Sequence, residues 1–376
     1  MKRVAFSLCL LALTLINTVD AADKVVKVFI LAGQSNMEGH GGNRTIDDLG
    51  NHPKYGHLLA KLKNADGSWA ERDDVFVSYK RSRDMVQGPL SVGQGYASDR
   101  IGPELMFGTI MGEYYKEPVL LIKTAWGGKD LYCDFRPPSA GKPAYAIQKR
   151  RDKQREIGVC YRKMVTEVKE CLANLEKNFP QFQDMKPEIV GFVWFQGFNE
   201  QFSGKETQAQ VYREYAGNYA HMIADLKREL ELDRLPSVVG EMGVGGVEKN
   251  IPLRAAQAAV VDQESLKGQI AFVETAQFWD PDLDRLQREM KSLAHDEMQK
   301  LNAQYKESGE KDKDGKPRKA TWGEGYAAAK KTEPYQELDS QFSKKGFHWA
   351  CHYWGSAKIY CLVGNGLAEA MKELIE

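Results

Sequence analysis

Val25-Val26-Lys27-Val28-Phe29-Ile30-Leu31-Ala32-Gly33-Gln34-Ser35-Asn36-Met37 is the stretch whose reading decides the fold. Up to Ala32 it is rich in β-branched and aliphatic residues, as a buried strand is; Gly33 stops the run, and Ser35 follows two residues later, ahead of Gly39, Gly41 and Gly42. Ser35 therefore stands at the carboxyl end of a strand. In an open α/β sheet those ends form the crevice where ligands bind, and a strand-turn-helix junction there presents a hydroxyl beside free backbone N–H groups. Two readings of Gly33-Gln34-Ser35-Asn36 stand side by side: a turn that presents Ser35 as a nucleophile, or an ordinary turn, since Gly, Ser and Asn favour turns on conformational grounds alone. The tetrad is not a Gly-x-Ser-x-Gly elbow.

Two further apolar runs end the same way. Val119-Leu120-Leu121-Ile122-Lys123-Thr124 reads as a strand buried on both faces and runs into Ala125-Trp126-Gly127-Gly128-Lys129-Asp130-Leu131. Paired glycines there let the backbone approach a ligand and aim N–H groups at it, or else make a tight turn. Ile189 to Phe195 delivers Gln196-Gly197-Phe198-Asn199-Glu200. Further strands are read at 75–79, 237–243 and 270–275, with helical spacing over 101–115, 161–178, 211–232, 253–266 and 355–371. Gly88 to Gly95 reads as loop. The alternation predicts an α/β protein, a three-layer α/β/α arrangement around a mostly parallel sheet, with the three glycine-bearing strand ends on one edge. Residues 282–342 differ: charge-rich and poor in aliphatics, they read as an inserted segment of helices and loop near the cleft, with Lys311 to Arg318 as a surface loop.

Lys plus Arg and Asp plus Glu balance at 52 each, so no global field recruits nucleic acid or an anionic membrane. Lys2 and Arg3 precede an apolar run from Val4 to Ile16, and Val19-Asp20-Ala21 offers small residues for cleavage after Ala21. Residues 1–21 thus read as a secretory signal, shorter than a membrane anchor needs, and 22–376 as one exported domain, secreted or periplasmic. Cys9 follows Leu8, where a lipoprotein signal wants a small residue. Beyond it, Cys133, Cys160, Cys171, Cys351 and Cys361 are odd in number, which leaves a thiol free, and Cys160 and Cys171 lie about 16 Å apart along one helix, too far to bridge. No Cys-x-x-Cys pair suggests zinc, and neither metal nor cofactor is expected.

A serine nucleophile needs a base, and histidine is poised for that near neutral pH. Of seven histidines, His40, His52, His57 and His221 are read as surface or core residues. His348 and His352 stand instead before the closing helix, which returns the chain over the strand ends.

Gly33-Gln34-Ser35-Asn36-Met37 resembles the first block of the SGNH hydrolase superfamily, in the form found in the sialate O-acetylesterase and acetylxylan esterase group. Ala125 to Leu131 resembles the second block and Trp194-Phe195-Gln196-Gly197 the third. The resemblance implies a flavodoxin-like sheet and a secreted carbohydrate O-acetylesterase acting on an acetylated glycan. It implies Ser35 as nucleophile and His352 as base, with the oxyanion held by N–H groups of Ser35 and of Gly127 or Gly128 and by an amide of Gln196 or Asn199. The sequence departs from the family in two places. Phe198 stands where an acidic residue usually follows the glycine, and Trp349, not Asp, lies three before His352. Glu274 or Glu241 at strand ends, or a backbone carbonyl, has to orient the base in its place. A glycan-binding protein without turnover and a lipid or thioester hydrolase are the rival functions. Trp126, Trp194, Tyr353 and Trp354 are read either as sugar-stacking or as core residues.

Overall fold

The computed structural model describes residues 24–144 and 156–376. The signal segment and most of the basic connection read over 140–156 lie outside the described residues. In chain order the elements are β1 (Val25–Gly33), a single helical turn α1 (Ser35–Glu38), β2 (Gly41–Gly42), β3 (Val75–Lys80), β4 (Met85–Pro89), β5 (Arg100–Ile101), α2 (Glu104–Tyr114), β6 (Val119–Ala125), α3 (Val159–Ala173), α4 (Leu175–Asn178), β7 (Lys186–Phe195), α5 (Lys205–Glu229), β8 (Ser237–Gly240), α6 (Ile251–Ala258), β9 (Ile270–Val273), α7 (Pro281–Ser308), α8 (Trp322–Ala329), α9 (Glu333–Ser343) and α10 (Ala357–Ile375).

The central sheet runs β4-β3-β6-β1-β7-β8-β9, parallel throughout except where β4 folds back on β3. β1 lies in its middle and is buried on both faces, as its unbroken apolar run requires. Val26, Val28 and Ile30 point into a layer with Met164, Val168, Tyr219 and Ile223 of α3 and α5; Phe29 and Leu31 point the other way, onto Phe107 and Met111 of α2 and Ile359 and Val363 of α10. Each such fully buried side chain contributes about 1.5–3 kcal/mol. The three layers are those expected. The order departs from a flavodoxin-like sheet in one respect: β1 pairs with β6 and β7, so the first and third parallel strands have exchanged places.

Several boundaries differ from the sequence reading for local reasons. Met85 to Pro89 is an edge strand, although Gly88 and Pro89 argue against one; at an edge Pro loses no ladder bond. The helix read from Ile101 begins at Glu104, because Arg100 and Ile101 pair with Gly42 and Gly41. The helix read over 161–178 breaks at Asn174. That read over 253–266 ends at Ala258 and continues as 3₁₀ turns.

Residues 281–343 form three helices with a small core of their own, Leu283, Leu286, Met290, Ala329, Tyr335 and Phe342. The segment abuts the loop carrying His352: Trp354 lies edge-on to Phe342 and donates its indole N–H to Asp284 at 2.9 Å. None of the five cysteines of the described residues forms a disulfide. No helix among the described residues is long and apolar enough to cross a membrane.

Candidate active site

The three strand ends meet as a stitched unit. Gln34 N–H donates to Phe195 O (3.4 Å), Trp126 N–H to Gly33 O (3.2 Å), and the Gln34 side-chain oxygen accepts from the N–H groups of Gly197 (3.2 Å) and Asn199 (3.4 Å). Gly33 has to be glycine: a Cβ there would sit 2.3 Å from Phe195 O. Ser35 opens α1 and is buried except for 8 % of its surface.

Gly127 lies against it. A Cβ at Gly127 would stand 3.6 Å from Ser35 Cβ and 2.9 Å from Glu38 Oε2, so only glycine brings the backbone this close. Gly128 follows at φ 72°, a left-handed conformation natural to glycine. Of the two candidate amides, Gln196 is fully buried and engaged, donating to Lys129 O (3.1 Å) and accepting from Tyr215 OH (3.2 Å). Asn199 is half-buried, and among the described residues its side chain joins none of these bonds.

His352 is delivered by the 3₁₀ segment Ala350–Gly355. Tyr353 and Trp354 both hold positive φ, 50° and 56°, a costly conformation for bulky residues. Buried anchors hold it in place: Tyr353 OH accepts from Gly243 N–H (3.0 Å), and Trp354 O accepts the N–H groups of Phe347 (2.8 Å) and His348 (3.0 Å). The loop is tied to the serine turn by Asn36, whose amide donates to Cys351 O at 3.1 Å and accepts from Tyr360 OH at 2.8 Å.

The imidazole environment is not the expected one. His40, read from sequence as a surface or core residue, stacks on His352 with ring centroids 3.9 Å apart and planes 5° from parallel. His348 Nδ1 lies 3.0 Å from His352 Nδ1. Arg100 adds a guanidinium 3.5 Å from His40 Nδ1. Burial, reinforced by this mutual repulsion, pulls His352 down to about 4 and His40 to about 2, and lowers His348. Glu241 uses its carboxylate elsewhere, on Arg254 Nε (2.5 Å) and Ala276 N–H (2.9 Å), and Glu274 is exposed at the end of β9.

The three histidines each bring a ring nitrogen within 4.8 Å of the others, a spacing that admits a metal ion by distance alone. The ring geometry opposes it. Imidazole lone pairs lie in the ring plane, so the stacked faces of His40 and His352 do not converge on one ion, and Arg100 would repel it.

Sequence reasoning also missed Glu38. Burial lifts its carboxyl from 4.5 to about 7, against the pull of Lys123 and the Gly127 N–H. An acid whose folded pKa is raised leaves stability unaffected below 4.5 and costs progressively more as pH rises through 7, by ~3 kcal/mol when fully ionised. Glu38→Gln is accordingly expected to gain on the natural protein by up to that amount between pH 4.5 and pH 8, read as the difference in urea unfolding free energy at the two pH values. A gap that stays constant with pH would refute the assignment.

The aromatic candidates resolve toward the core: Trp194 and Tyr353 are fully buried, Trp354 is bonded to Asp284, and Trp126 lies under Lys163. The exposed aromatics flank the histidines instead. Tyr96, 41 % exposed, stacks on His40 at 4.7 Å, and Trp349, 72 % exposed, lies 5.1 Å from His348.

A mostly parallel α/β sheet with a buried serine, a glycine pair and a histidine loop at one edge defines a hydrolase-like scaffold, and comparison with known proteins narrows it. Residues 25–290 match the family model described as carbohydrate esterase, sialic acid-specific acetylesterase, and the chain belongs to that family. Among solved structures, a protein from Arabidopsis thaliana is similar at 16% identity over 84% of this chain and 98% of its own, with a TM-score of 0.41. A carbohydrate acetylesterase from Xanthomonas citri is similar at 16% identity and a TM-score of 0.41 over 65% of this chain, which spans 49% of that protein. No curated protein matches.

Proposed function

We propose that the protein is an exported serine O-acetylesterase that removes acetyl groups from an acidic glycan, with acetylated sialic acid as the favoured substrate. The observation that carries this reading is the placement of Ser35 at the end of β1, against the Gly127 backbone, with the His352 loop fastened to its own turn through Asn36. Ser35 Oγ attacks the acetyl carbonyl while His352 Nε2 takes its proton. The Ser35 N–H and the Asn199 amide hold the oxyanion, the Gly127 N–H being engaged by Glu38. The sugar oxygen leaves with the proton from the imidazolium, and water, activated by the same histidine, releases acetate from the acyl-serine. Tyr96 and Trp349 offer ring faces to a sugar, and Arg100 beside three imidazoles suits a substrate carboxylate. Residues 1–21 direct export.

The test is covalent. A fluorophosphonate is expected to label one residue, Ser35 by peptide mass, and acetate release is expected to rank an acetylated sialoside above acetylated xylan and an aryl acetate. A protein that binds acetylated glycans yet neither labels nor releases acetate would be a glycan-binding protein on this fold, and the esterase reading would fall.

A further inference from the structure

A neutral imidazole carries one ring proton. For His352 Nε2 to accept the proton of Ser35, that proton must sit on Nδ1, and a neighbour must accept it there. The usual neighbour is a carboxylate, and those that sequence reasoning offered, Glu241 and Glu274, are placed elsewhere. The atom that does face His352 Nδ1, at 3.0 Å, is Nδ1 of His348. We infer that His348 is the positioning residue of the site: as a neutral imidazole it accepts the Nδ1–H of His352, fixing the tautomer that leaves the Nε2 lone pair open. This inference rests on the serine esterase reading above.

Two nitrogens at that distance share one proton, and only one of the two arrangements is productive. If His348 donated, His352 would carry its proton on Nε2 and could not act as a base. The productive arrangement requires His348 to be uncharged, since its protonated form could only donate. Its surroundings favour that. Half-burial and Arg100 hold its pKa below the ordinary imidazole range. Of the groups facing the pair, Arg100 supplies positive charge; it is partnered by Asp99 at 3.3 Å and stands by His40 and over Phe347, while His40, stacked on His352, is held neutral by burial. Trp349 and Phe347 contribute uncharged rings against His348.

The backbone explains why two histidines four apart meet. His352 N–H donates to Trp349 O (3.0 Å), and the left-handed pair Tyr353 and Trp354 returns the chain so that Trp354 O caps the N–H of His348. The His40 ring then confines His352 from its face. A neutral acceptor steadies the imidazolium less than a carboxylate would, which accords with a base held near 4.

The experiment compares His348→Ala, His348→Asp and His352→Ala on an aryl acetate across pH 3.5–9, with circular dichroism to confirm folding. His348→Ala is expected to lower kcat on the order of 10- to 100-fold with KM little changed, because the base is present but no longer held in one tautomer. His348→Asp is expected to keep most of kcat at pH 8 and to move the acid limb of the profile upward, since a carboxylate favours the imidazolium. Nitrogen NMR of histidine-labelled Ser35→Ala gives a readout independent of turnover: His352 should carry its proton on Nδ1, and lose that preference when His348 is also replaced. Unchanged kcat and acid limb in His348→Ala beside an inactive His352→Ala would overturn the inference while leaving the esterase reading intact, as would a His352 protonated on Nε2 in Ser35→Ala. A fully active His352→Ala would remove both.

Discussion

Ser35→Ala, His352→Ala and the double variant are expected to lose the same large factor in kcat for acetate release, on the order of 10⁴ or more, because hydroxyl and imidazole act as one unit. Serine without a base is a poor nucleophile at neutral pH. The base without the hydroxyl can only activate water, which must then find a position that Ser35, 92 % buried at the head of α1, occupies by construction. Once either is gone, removing the other costs little more, and what remains is stabilisation by the Ser35 N–H and Asn199. Asn199→Ala should therefore cost less, on the order of 10²- to 10³-fold, and its loss should add to that of Ser35→Ala rather than vanish in it. Initial rates with an aryl acetate, corrected for spontaneous hydrolysis, decide the matter. A double variant slower than either single one by a further large factor would mean that Ser35 and His352 serve separate routes, and the assigned mechanism would be wrong.

How much of this was legible in the sequence depended on whether a feature was local. The β1 run, its stop at Gly33 and the two similar strand ends at Gly127 and Gly197 are contiguous signals, and the structure brings all three to one edge as their pattern implied. β4 was not legible: an edge strand of Met, Val, Gln, Gly and Pro has no inner face to imprint a pattern on. The imidazole cluster was less legible still. It is assembled from positions 40, 100, 348 and 352; His348 and His352 stood out by their place before the closing helix, but no contiguous signal joined them to each other or to His40 and Arg100. One cue existed for His40: it lies five residues after Ser35, bracketed by Gly39 and Gly41, within the turn that the nucleophile reading already singled out. The same cue applies to Glu38. The aromatic candidates failed for the opposite reason, since tryptophans beside motif residues on central strands are core by position, and the exposed rings sit on loops.

Lys123 carries the largest expected effect on stability. It is the one charged residue of the β6 run and is wholly buried, as is its partner Glu104. Its ammonium donates to Glu104 Oε2 at 2.8 Å, to Glu38 O at 2.8 Å and to Gln94 O at 3.2 Å, and lies 4.5 Å over the Tyr79 ring; Glu104 also accepts Gly102 N–H at 2.8 Å. Burial pulls the Lys123 pKa below its usual range while Glu104 and Glu38 pull it back. Glu104→Gln keeps the shape and removes the countercharge, and is expected to cost about 3–5 kcal/mol at pH 7. A buried cation with a lowered folded pKa is penalised below that pKa and relieved as pH rises toward its unfolded value, so the deficit of Glu104→Gln should shrink between pH 7 and pH 10. Replacing both, as Lys123→Met with Glu104→Gln, should recover part of the loss, since an uncharged pair needs no countercharge. Recovery has to be incomplete, because the carbonyls of Glu38 and Gln94 lose their donor in the dry interior. That remainder links stability to chemistry: Lys123 holds the chain at Glu38, three residues beyond Ser35. The double variant should therefore lose acetate release more than its recovered melting temperature suggests. Guanidinium unfolding of the natural protein and the two variants at pH 7 and pH 10 measures the first effect, and kcat at a temperature where all are folded measures the second. A Glu104→Gln protein as stable as the natural one at pH 7 would show that Lys123 is neutral in the fold, and the turn after Ser35 would then be held by a neutral amine rather than by an ion pair.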